Sequence, residues 1–567
     1  MSSTRETSTA ATACCALLLA AACSAPPAPV ANQNSPPQTA QVRDGLGPDV
    51  DTQQRRTSLF ANWDAFVDPE GQPVVYEWSV GTQPGATDVL DWREAAGAQR
   101  AAIGDIQLPI GVMLHVNVRA RDVAGNRSAV ASSDGVVVGE TVDRTAAVRP
   151  QPGIEARPGH FGGLDRNGIS WTFARPARCG RYVNGDWWVV GPVDVVAIKP
   201  ESLRDGSRVR HGSMVNPSPA ALTQGYDNAM FGDGAGGRYS DAANAALGVS
   251  RQQPLSLRPG SSLVSTVSHP TAGQLPQLDR CAVLTVVDEP PSADAFRPPY
   301  CGTDKRARWS ADALDLTRFA RLEPVPGAPS IGELVARFEQ TWLDHLPGFT
   351  GRYLHPRENM PDYGRDIADL VSTGALALHL ELPSDDKRAL LIAMVQVGID
   401  VYGIVDNGGR FVADGGSGSG RKFPLMLAGT VLDDEHMLKL AAERKFAFGE
   451  DAQTFYVERT SPGVVNGGHG GYGSDDLGLP EWGNRHADDP SLDRKAWTAD
   501  PYRRCCTANV WHGFVLAARI LGMREAWDHA PLFDYVDRYM QVEQQGHWMR
   551  GYSPFCERMW DRYRRDF

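Results

Sequence analysis

Residues 463–486 form a glycine-rich segment with the densest set of side chains suited to acid–base chemistry. Cleavage of a uronate chain by β-elimination needs three groups: one that neutralises the carboxylate, a base and an acid. Asparagine and arginine suit the first task, histidine the second and tyrosine the third. The segment supplies all three types, in Asn466, His469, Tyr472, Arg485 and His486. We predict that Asn466 or Arg485 neutralises the carboxylate, His469 or His486 is the base, and Tyr472 is the acid.

Hydrolysis of a glycoside would instead need two carboxyl groups, one protonated and one ionised, on either side of the scissile bond. Asp400 and Glu481 are the most interesting candidates, because each lies beside apolar residues that could raise its pKa. The full set of candidates in the carboxyl-terminal region is Asp400, Asp406, Asp414, Glu450, Asp451, Asp475 and Glu481. The sequence alone does not choose a pair among them.

A second glycine-rich segment, residues 407–422, ends at Arg421 and Lys422. Its GGSGSG run lacks the Gly-Lys-Ser/Thr ending of a phosphate-binding loop, which argues against nucleotide binding. We interpret the glycines as a loop that lets an acidic sugar approach the two cations. The alternative is a plain linker with two solvated side chains.

Aromatic rings are the other signal of carbohydrate binding, since flat rings stack on the apolar faces of sugars. Trp482 lies in the polar segment beside Glu481, and both are predicted to bind substrate. Trp187 and Trp188 follow a turn-type Asn-Gly-Asp sequence, and neighbours in a strand point to opposite faces. We therefore expect one of these two rings in the core and the other free for a sugar.

From about residue 314 the apolar residues recur at helical spacing in seven segments separated by long loops. Loops of that length in a compact region are more often functional than idle. We predict an all-α domain over residues 306–567, with consecutive helical hairpins arranged as an α/α toroid that carries the catalytic loops. The segment 296–305 (FRPPYCGTDK) joins this domain to the preceding one, either as a rigid strap or with Arg297, Tyr300 and Lys305 reaching the cleft.

The amino-terminal half has short alternating apolar runs separated by turn residues, which is typical of β-sandwiches. We predict two sandwich domains, over residues 57–140 and 161–305, with a linker at 141–160. In the first, Trp63, the run Tyr76-Glu77-Trp78, and Val116, Val118 and Ala120 resemble a fibronectin type III module. That resemblance implies that Trp63 is the core tryptophan and that Val116, Val118 and Ala120 face inward.

The predicted order, a β-sandwich followed by an α/α toroid, resembles secreted polysaccharide lyases and some glycoside hydrolases. The resemblance rests on architecture over about 400 residues, with no family motif matched residue by residue. It implies a carbohydrate-active enzyme.

The amino terminus is predicted to be an export signal. Residues 1–22 contain a short apolar run that is too short to span a bilayer and ends in small residues before Cys23. This ending resembles the lipobox of bacterial lipoproteins, which implies lipidation of Cys23. Residues 23–56 are predicted to be the lipid-anchor cysteine followed by a disordered, proline-rich tether. The expected location is the bacterial outer membrane or cell surface; simple cleavage with release to the periplasm or medium is the alternative.

Net charge and cysteine spacing limit the classes of partner and cofactor that we expect. The chain has 56 basic and 68 acidic residues, a net charge of -12, which argues against nucleic acid as a partner and leaves a lipid anchor as the predicted membrane contact. Six cysteines follow Cys23, namely Cys179, Cys281, Cys301, Cys505, Cys506 and Cys556, and none has zinc-site spacing. We expect Cys505 and Cys506 to have different partners or environments. No cofactor is predicted, although a structural Ca²⁺ held by Asp side chains is compatible with an extracellular enzyme.

Together these features predict an exported or surface-tethered enzyme that cleaves a uronate-containing polysaccharide by β-elimination. The first alternative is a glycoside hydrolase of the same architecture that uses two carboxylates. The second is a surface lipoprotein that binds glycan without cleaving it. Because the whole chain is acidic, the lyase hypothesis requires a locally positive cleft, predicted at Arg421, Lys422 and Arg485.

Overall fold

The computed structural model describes most of the chain after residue 33. The described residues are 34–45, 49–50, 52–53, 59–95, 99–103, 106, 108–109, 111–138, 154–155, 164–230, 238–458, 472–483 and 502–567. The chain divides into two compact units, Met1–Thr141 and Val142–Phe567. Strands make up the amino-terminal half and helices dominate the carboxyl-terminal half.

The described residues of the first unit form nine strands in two sheets. The strands are β1 (Val42–Asp44), β2 (Thr52–Gln53), β3 (Leu59–Trp63), β4 (Val75–Gly81), β5 (Leu90–Glu94), β6 (Arg100–Ile103), β7 (Met113–Arg121), β8 (Ala131–Ser132) and β9 (Val136–Val138). One sheet has the order β1-β3-β6 and the other β2-β9-β7-β4-β5, with β8 also pairing to β7. All pairs are antiparallel except β2 with β9.

The core of the first unit lies between these sheets and follows the period of two that strands impose. Along β3, buried residues alternate with partly exposed ones. Trp63 is 2% exposed, and Val116, Val118 and Ala120 on β7 are fully buried. The predicted core tryptophan and inward-facing residues are therefore confirmed.

The second unit begins with a β-rich region. Its strands are β10 (Ile154–Glu155), β11 (Leu164–Arg166), β12 (Ile169–Phe173), β13 (Arg178–Arg181), β14 (Trp187–Val190), β15 (Val193–Lys199), β16 (Leu203–Asp205), β17 (Arg208–Arg210), β18 (Ser213–Val215), β19 (Thr223–Gln224), β20 (Arg238–Tyr239), β21 (Leu255–Leu257), β22 (Ser261–Ser268) and β23 (Leu278–Val287). Six of them form a sheet of order β10-β13-β14-β23-β22-β18, and four form a sheet of order β11-β12-β15-β21.

Both tryptophans of β14 are buried. Trp187 joins the apolar cluster that also contains Trp171 on β12, whereas Trp188 packs in a separate small cluster with Tyr182 and Val287. The rings therefore lie on opposite faces, as the strand period requires. Each is only 5% exposed, however, so the expectation that one ring is free for a sugar is corrected: both faces of this strand are covered.

The helices of the second unit follow its strands. They are α1 (Ile331–Phe338), α2 (Gly348–Gly351), α3 (Gly364–Ala377), α4 (Ser384–Asp406), α5 (Lys422–Val431), α6 (Glu435–Glu443), α7 (Gly449–Ala452), α8 (Tyr502–Cys505), α9 (Trp511–Ile520), α10 (Arg524–Trp527), α11 (Ala530–Val542) and α12 (Pro554–Tyr563). A short hairpin of β24 (Thr454–Tyr456) and β25 (Pro480–Trp482) lies among them. Helix α4 packs against α1 and α5, α5 against α6, and α9 against α3, α11 and α12.

Helix α4 is the longest helix of the described part of the chain and forms the centre of the helical region. Asp385 and Asp386 in its first turn favour the helix dipole, and Asn407 and Gly408 end it. By length and composition it could cross a membrane, but 83% of its most apolar window is buried within the protein. Its buried polar residues also have protein partners, which is the pattern of a core helix.

The β-rich region and the helices share one continuous apolar core, so residues 161–305 and 306–567 fold against each other. The predicted strap at 296–305 lies inside this junction: Arg297 and Tyr300 are fully buried and Lys305 is 5% exposed. The guanidinium of Arg297 bonds Asp186 of the β-rich region through Nε at 2.7 Å. It bonds Asp400 of α4 through Nη1 at 3.0 Å. The segment is thus a buried strap, not part of a cleft.

Candidate functional site

Most of the predicted catalytic loop lies outside the described residues. This applies to Asn466, His469, Arg485 and His486, and also to the predicted lipidation site Cys23. Tyr472 is described, is 3% exposed, and packs its ring edge-on against Phe455 at 5.9 Å. Of the five predicted catalytic residues, Tyr472 alone lies in the described part of the chain, and there it is buried.

Glu481 and Trp482 lie on β25 and are buried, with 1% and 2% of their surfaces exposed. The guanidinium carbon of Arg503 lies 5.2 Å from the centre of the Trp482 ring. Glu481 forms an ion pair of 3.5 Å with Arg538. Both predicted substrate-binding residues are therefore part of the core around the hairpin, which corrects the expectation of an exposed sugar subsite there.

Arg421 is also buried, with 2% of its surface exposed. Its Nε donates to Asp344 Oδ2 at 2.8 Å, and its Nη1 donates to the carbonyl of Ser419 at 2.7 Å. Asp344 also contacts Nε2 of His355 at 2.8 Å. Although burial acts in the opposite direction, the neighbouring Arg421 and His355 hold the pKa of Asp344 at about 2. The Arg421 charge is thus neutralised inside the fold.

Lys422 is fully buried at the start of α5. Its Nζ donates to Asp451 Oδ2 at 2.5 Å and to the carbonyl of Trp527 at 2.7 Å. The neighbouring Glu450 accepts from the backbone N–H of Gly420 at 3.2 Å, and burial raises its pKa to about 7. The expectation that Arg421 and Lys422 face an acidic sugar is therefore corrected: both cations are buried with a carboxylate partner.

The other predicted carboxylates are scattered. Asp400 is buried against Arg297, and burial raises its pKa, as its apolar neighbours in the sequence suggested. Asp406 at the end of α4 and Asp475 are exposed. Asp414 is half-buried and accepts a hydrogen bond from the backbone N–H of Phe349 at 2.7 Å. Asp414 thus lies beside Phe349, whose ring centre is 4.8 Å from the guanidinium carbon of Arg352.

Five residues from three separate segments meet at the start of α3 and form what we call the aromatic–arginine cluster: Tyr363, Arg365, Tyr502, Trp548 and Tyr552. Arg365 is at its centre. Its guanidinium carbon lies 4.5 Å from the ring centre of Tyr552, 5.0 Å from that of Trp548 and 5.6 Å from that of Tyr363. The side chain of Arg365 is 16% exposed, so the cluster reaches the surface.

Trp548 is the exposed ring of this cluster. It is 47% exposed and its ring centre lies 5.4 Å from that of Tyr552. Its φ is +63°, in the left-handed region that non-glycine residues rarely occupy. Strained backbone of this kind is found disproportionately at functional sites, because the surrounding structure must maintain it.

The phenol groups of Tyr363 and Tyr502 lie side by side, with 3.3 Å between their Oη atoms. Burial, followed by the neighbouring Tyr502, raises the pKa of Tyr363 well above its ordinary value. Tyr363 is therefore a protonated hydrogen-bond donor at neutral pH. Such a group can supply a proton to a leaving oxygen.

The second predicted glycine-rich segment supports this cluster through backbone packing. A Cβ on Gly416 would lie 2.2 Å from the carbonyl oxygen of Cys506. A Cβ on Gly364, the first residue of α3, would lie 1.8 Å from the carbonyl oxygen of Gly416. Glycine is required here because three backbone segments approach one another without room for a side chain.

A second aromatic–arginine contact extends the surface from Tyr363. The guanidinium carbon of Arg352 lies 5.0 Å from the Tyr363 ring centre and 4.8 Å from that of Phe349. Phe349 is 50% exposed, and Arg352 bonds Asp362 at 2.7 Å. Exposed rings at both ends, with arginines between them, make a mixed apolar and cationic surface.

Two carboxyl groups border the cluster on α3. Asp366 accepts a hydrogen bond from Arg365 Nε at 2.8 Å. Asp369 lies about one helical turn further along, and burial, followed by the nearby Asp366, raises its pKa to about 7. A carboxyl group whose pKa lies near neutrality can gain and lose a proton at neutral pH, which general acid–base chemistry requires.

The first unit contains a separate group of three carboxylates. Asp44, Asp49 and Asp134 each place one oxygen within 4.8 Å of the others. Asp44 is fully buried, accepts from Ser133 Oγ at 3.0 Å, and has a pKa raised to about 7, chiefly by burial. Carboxylate oxygens are the ligands that Ca²⁺ prefers, so these three residues are the described group that fits the structural Ca²⁺ suggested by the sequence.

We expect the stability of the first unit to fall as pH rises from about 4 to 7. In that range folded Asp44 keeps a proton that the unfolded chain has lost. Each unit of rising pH therefore lowers the free energy of unfolding by about 1.4 kcal/mol. Asp44→Asn should remove this loss, and urea unfolding at pH 4 and pH 7.5 would show it. Equal pH dependence in variant and wild type would contradict the assignment. Calcium that stabilises only the wild type at pH 7.5 would assign the group to a cation.

The fold and the cluster define a multidomain protein with β-sheets in its amino-terminal half, helices in its carboxyl-terminal half and an aromatic–arginine surface on the helices. No protein-family model and no curated protein matches the chain.

Among solved structures, a myokine structure aligns at 19% identity over 19% of this chain and 99% of that chain, with a TM-score of 0.13. The FN1–FN3 domains of chicken CNTN1 align at 13% identity over 45% of this chain and 69% of that chain, with a TM-score of 0.17. Trypsin-activated alpha-2-macroglobulin from Escherichia coli aligns at 8% identity over 91% of this chain and 35% of that chain, with a TM-score of 0.14.

Proposed function

We propose that this protein is an exported, surface-tethered carbohydrate-active enzyme that binds an acidic polysaccharide at the aromatic–arginine cluster and cleaves it by β-elimination. The observation that carries the proposal is the placement of exposed Trp548 against Arg365, beside the phenol pair of Tyr363 and Tyr502. The exposed ring offers an apolar face for a sugar. The arginine offers donors for a carboxylate.

Arg365 has hydrogen-bonding capacity for a ligand. Its Nε donates to Asp366 and its Nη1 donates to the carbonyl of Cys505, while its Nη2 lies 2.8 Å from the same Asp366 oxygen. A guanidinium has five N–H donors, and we propose that the others bind a uronate carboxylate through charge-assisted bonds, which are roughly twice as strong as neutral ones. Neutralising that carboxylate makes the C5 proton of the sugar more acidic.

In the proposed reaction a base removes the C5 proton, the C4–O4 bond breaks, and a C4=C5 double bond forms. Tyr363 protonates the departing O4, a role that rests on its phenol lying beside that of Tyr502 with 3.3 Å between the two Oη atoms. For the base we retain the sequence-based hypothesis of His469 or His486, with Asn466 and Arg485 as further members of the site. Tyr363 takes the role of acid that the sequence suggested for Tyr472, because Tyr472 is 3% exposed and packs against Phe455. The helices, with α4 packed on α5 and α5 on α6, are proposed to be hairpins of an α/α toroid.

Hydrolysis is the second candidate, favoured by Asp366 and Asp369. Asp366 is paired with Arg365, whereas burial raises the pKa of Asp369 to about 7. A hydrolase needs one ionised and one protonated carboxyl group. This pair replaces the seven carboxylates that the sequence suggested, of which several are buried in ion pairs.

The test is incubation of the mature protein with polygalacturonate and alginate. We expect ultraviolet absorbance from an unsaturated product; new reducing ends without that absorbance would indicate hydrolysis instead. Tyr363→Phe keeps the ring but removes the proton donor, so turnover should fall roughly 100-fold or more while binding persists. Retention of either polymer without any cleavage would indicate a glycan-binding lipoprotein.

Binding itself should depend on the exposed tryptophan. We expect Trp548→Ala to weaken polyuronate binding about tenfold, since one stacked ring contributes on the order of 1 kcal/mol or more. Phe446→Ala is the matched control, because Phe446 is 64% exposed and lies outside the cluster. Isothermal titration calorimetry with short uronate oligosaccharides measures the dissociation constant of each variant. Equal losses in the two variants would contradict the proposed binding site.

A further inference from the structure

The cysteines of the described second unit fall into two groups. Cys505 and Cys506 are bonded to each other and are half-buried. This corrects the expectation that the two neighbours have different partners. The other four, Cys179, Cys281, Cys301 and Cys556, are buried, and burial raises the pKa of the Cys556 thiol to about 12. A thiol in solution is therefore expected to react with the Cys505–Cys506 bond and not with the buried cysteines.

This disulfide is built into the aromatic–arginine cluster. The carbonyl of Cys505 accepts a hydrogen bond from Arg365 Nη1 at 3.0 Å. The backbone N–H of Cys506 donates to the carbonyl of Tyr502 at 3.0 Å, and the Tyr502 phenol contacts that of Tyr363. The Cys506 carbonyl is packed against Gly416 with no space for a side chain. A change in the backbone of this turn must move Arg365, Tyr502 or the glycine segment.

We propose that Cys505–Cys506 is a thiol–disulfide exchange site, and that its oxidised form holds the aromatic–arginine cluster in the arrangement that binds saccharide. The co-substrate is an external dithiol. The saccharide readout rests on the proposed function, whereas the exchange reaction and its effect on the cluster do not.

The exchange balances as a two-electron transfer. A thiolate of the dithiol attacks one of the two sulfurs, the Cys505–Cys506 bond breaks, and the released thiolate takes a proton from water. The second thiolate of the reductant then attacks the mixed disulfide, forms an internal disulfide in the reductant, and releases the other cysteine, which is also protonated. Partial exposure of both cysteines allows this attack without unfolding.

Reduction changes the backbone freedom of the turn. The disulfide joins adjacent residues and so restricts the dihedral angles of both, which fixes the direction of the Cys505 carbonyl that Arg365 binds. Once the two thiols separate, this carbonyl and the Cys506 carbonyl against Gly416 can reorient. Arg365 then loses one of its fixed acceptors, and its position between Trp548 and Tyr552 is less defined.

The experiment is a dithiothreitol titration of the full-length mature protein with three readouts. Alkylation and intact mass should show two newly labelled thiols under native conditions, at Cys505 and Cys506. Hydrogen exchange of backbone amides in residues 363–367 and 414–420 should become at least threefold faster in the reduced form. Binding of uronate oligosaccharides should weaken at least threefold and recover on reoxidation. Unchanged exchange rates after complete reduction would overturn the proposal.

The double variant Cys505→Ser/Cys506→Ser is the control. It should resemble reduced wild type in hydrogen exchange and show no response to dithiothreitol. A variant that still responds, or that exchanges like oxidised wild type, would contradict a role for this bond. If hydrogen exchange responds as expected but no saccharide binds in either state, the proposed function fails while the exchange site stands.

Discussion

Replacing Arg297 with methionine is expected to destabilise the second unit by about 3–5 kcal/mol, which is the usual cost of removing one member of a buried ion pair. Arg297 is fully buried and bonds Asp186 and Asp400 at once. Without it, Asp400 keeps only the backbone N–H of Tyr300 as a donor among the described residues. Denaturant unfolding of the full chain, followed by tryptophan fluorescence, measures the loss.

Two controls separate this effect from a general loss of packing. Arg318→Met removes an exposed ion pair with Asp433 and should cost at most about 1 kcal/mol. Arg297→Met combined with Asp400→Leu should recover stability relative to Arg297→Met alone, because the uncompensated carboxylate is then also removed. A double variant that is less stable than both single variants would show that packing, and not charge, dominates at this junction.

The sandwich core was predictable because its information is local. Strands impose a period of two, and the fibronectin type III resemblance implied that Trp63, Val116, Val118 and Ala120 face inward, as their burial confirms. The same rule placed Trp187 and Trp188 on opposite faces, yet it could not show that both faces are covered. Whether a face is solvated depends on what packs against it, and that information lies elsewhere in the chain.

The site was much less predictable, for two physical reasons. Charge pairing is non-local: Arg421 and Lys422 look like free cations in a glycine-rich segment, but Asp344 and Asp451 neutralise them from distant positions. The cluster is also assembled across the chain, since Tyr363, Arg365 and Trp548 do not lie in one polar run. The local signal for it was Trp548, which directly follows Gly546-His547.

The glycine-rich segments illustrate the same point. Their composition indicated a loop open to ligand, whereas Gly364 and Gly416 are required by backbone-to-backbone packing. Glycine is equally suited to both purposes, so sequence composition does not distinguish them. The described part of the structure does, because a Cβ at either position would collide with a carbonyl oxygen. The arrangement of the cluster therefore depends on glycines that touch no ligand.

The second large expected effect concerns His345, which is 1% exposed in the core between the rings of Tyr226 and Tyr300. Neither ring nitrogen has a hydrogen-bond partner within the described residues, and burial lowers its pKa from 6.5 to about 3. Between these values the unfolded chain binds a proton that the folded chain does not, so stability falls as pH decreases below 6.5. Each unit of falling pH in this range lowers the free energy of unfolding by about 1.4 kcal/mol.

We therefore expect His345→Phe to be more stable than wild type, with an advantage that grows by about 2 kcal/mol between pH 6.5 and pH 5. Denaturant unfolding of the full chain at several pH values measures it. Asp369 and Glu450 act in the opposite direction, because burial raises the pKa of each to about 7. The wild-type slope is the balance of all these groups, so the difference between variant and wild type isolates His345.

Exposed His436 is the matched position for replacing an imidazole by a phenyl ring, and His436→Phe should give no comparable gain at low pH. Parallel stability curves for His345→Phe and wild type between pH 6.5 and pH 5 would mean that folded His345 takes up the proton after all. Its imidazolium would then need an acceptor in the core that joins the β-rich region to the helices. A growing gap would instead establish His345 as a neutral side chain whose protonation requires unfolding, and would make this junction the acid-sensitive part of the second unit.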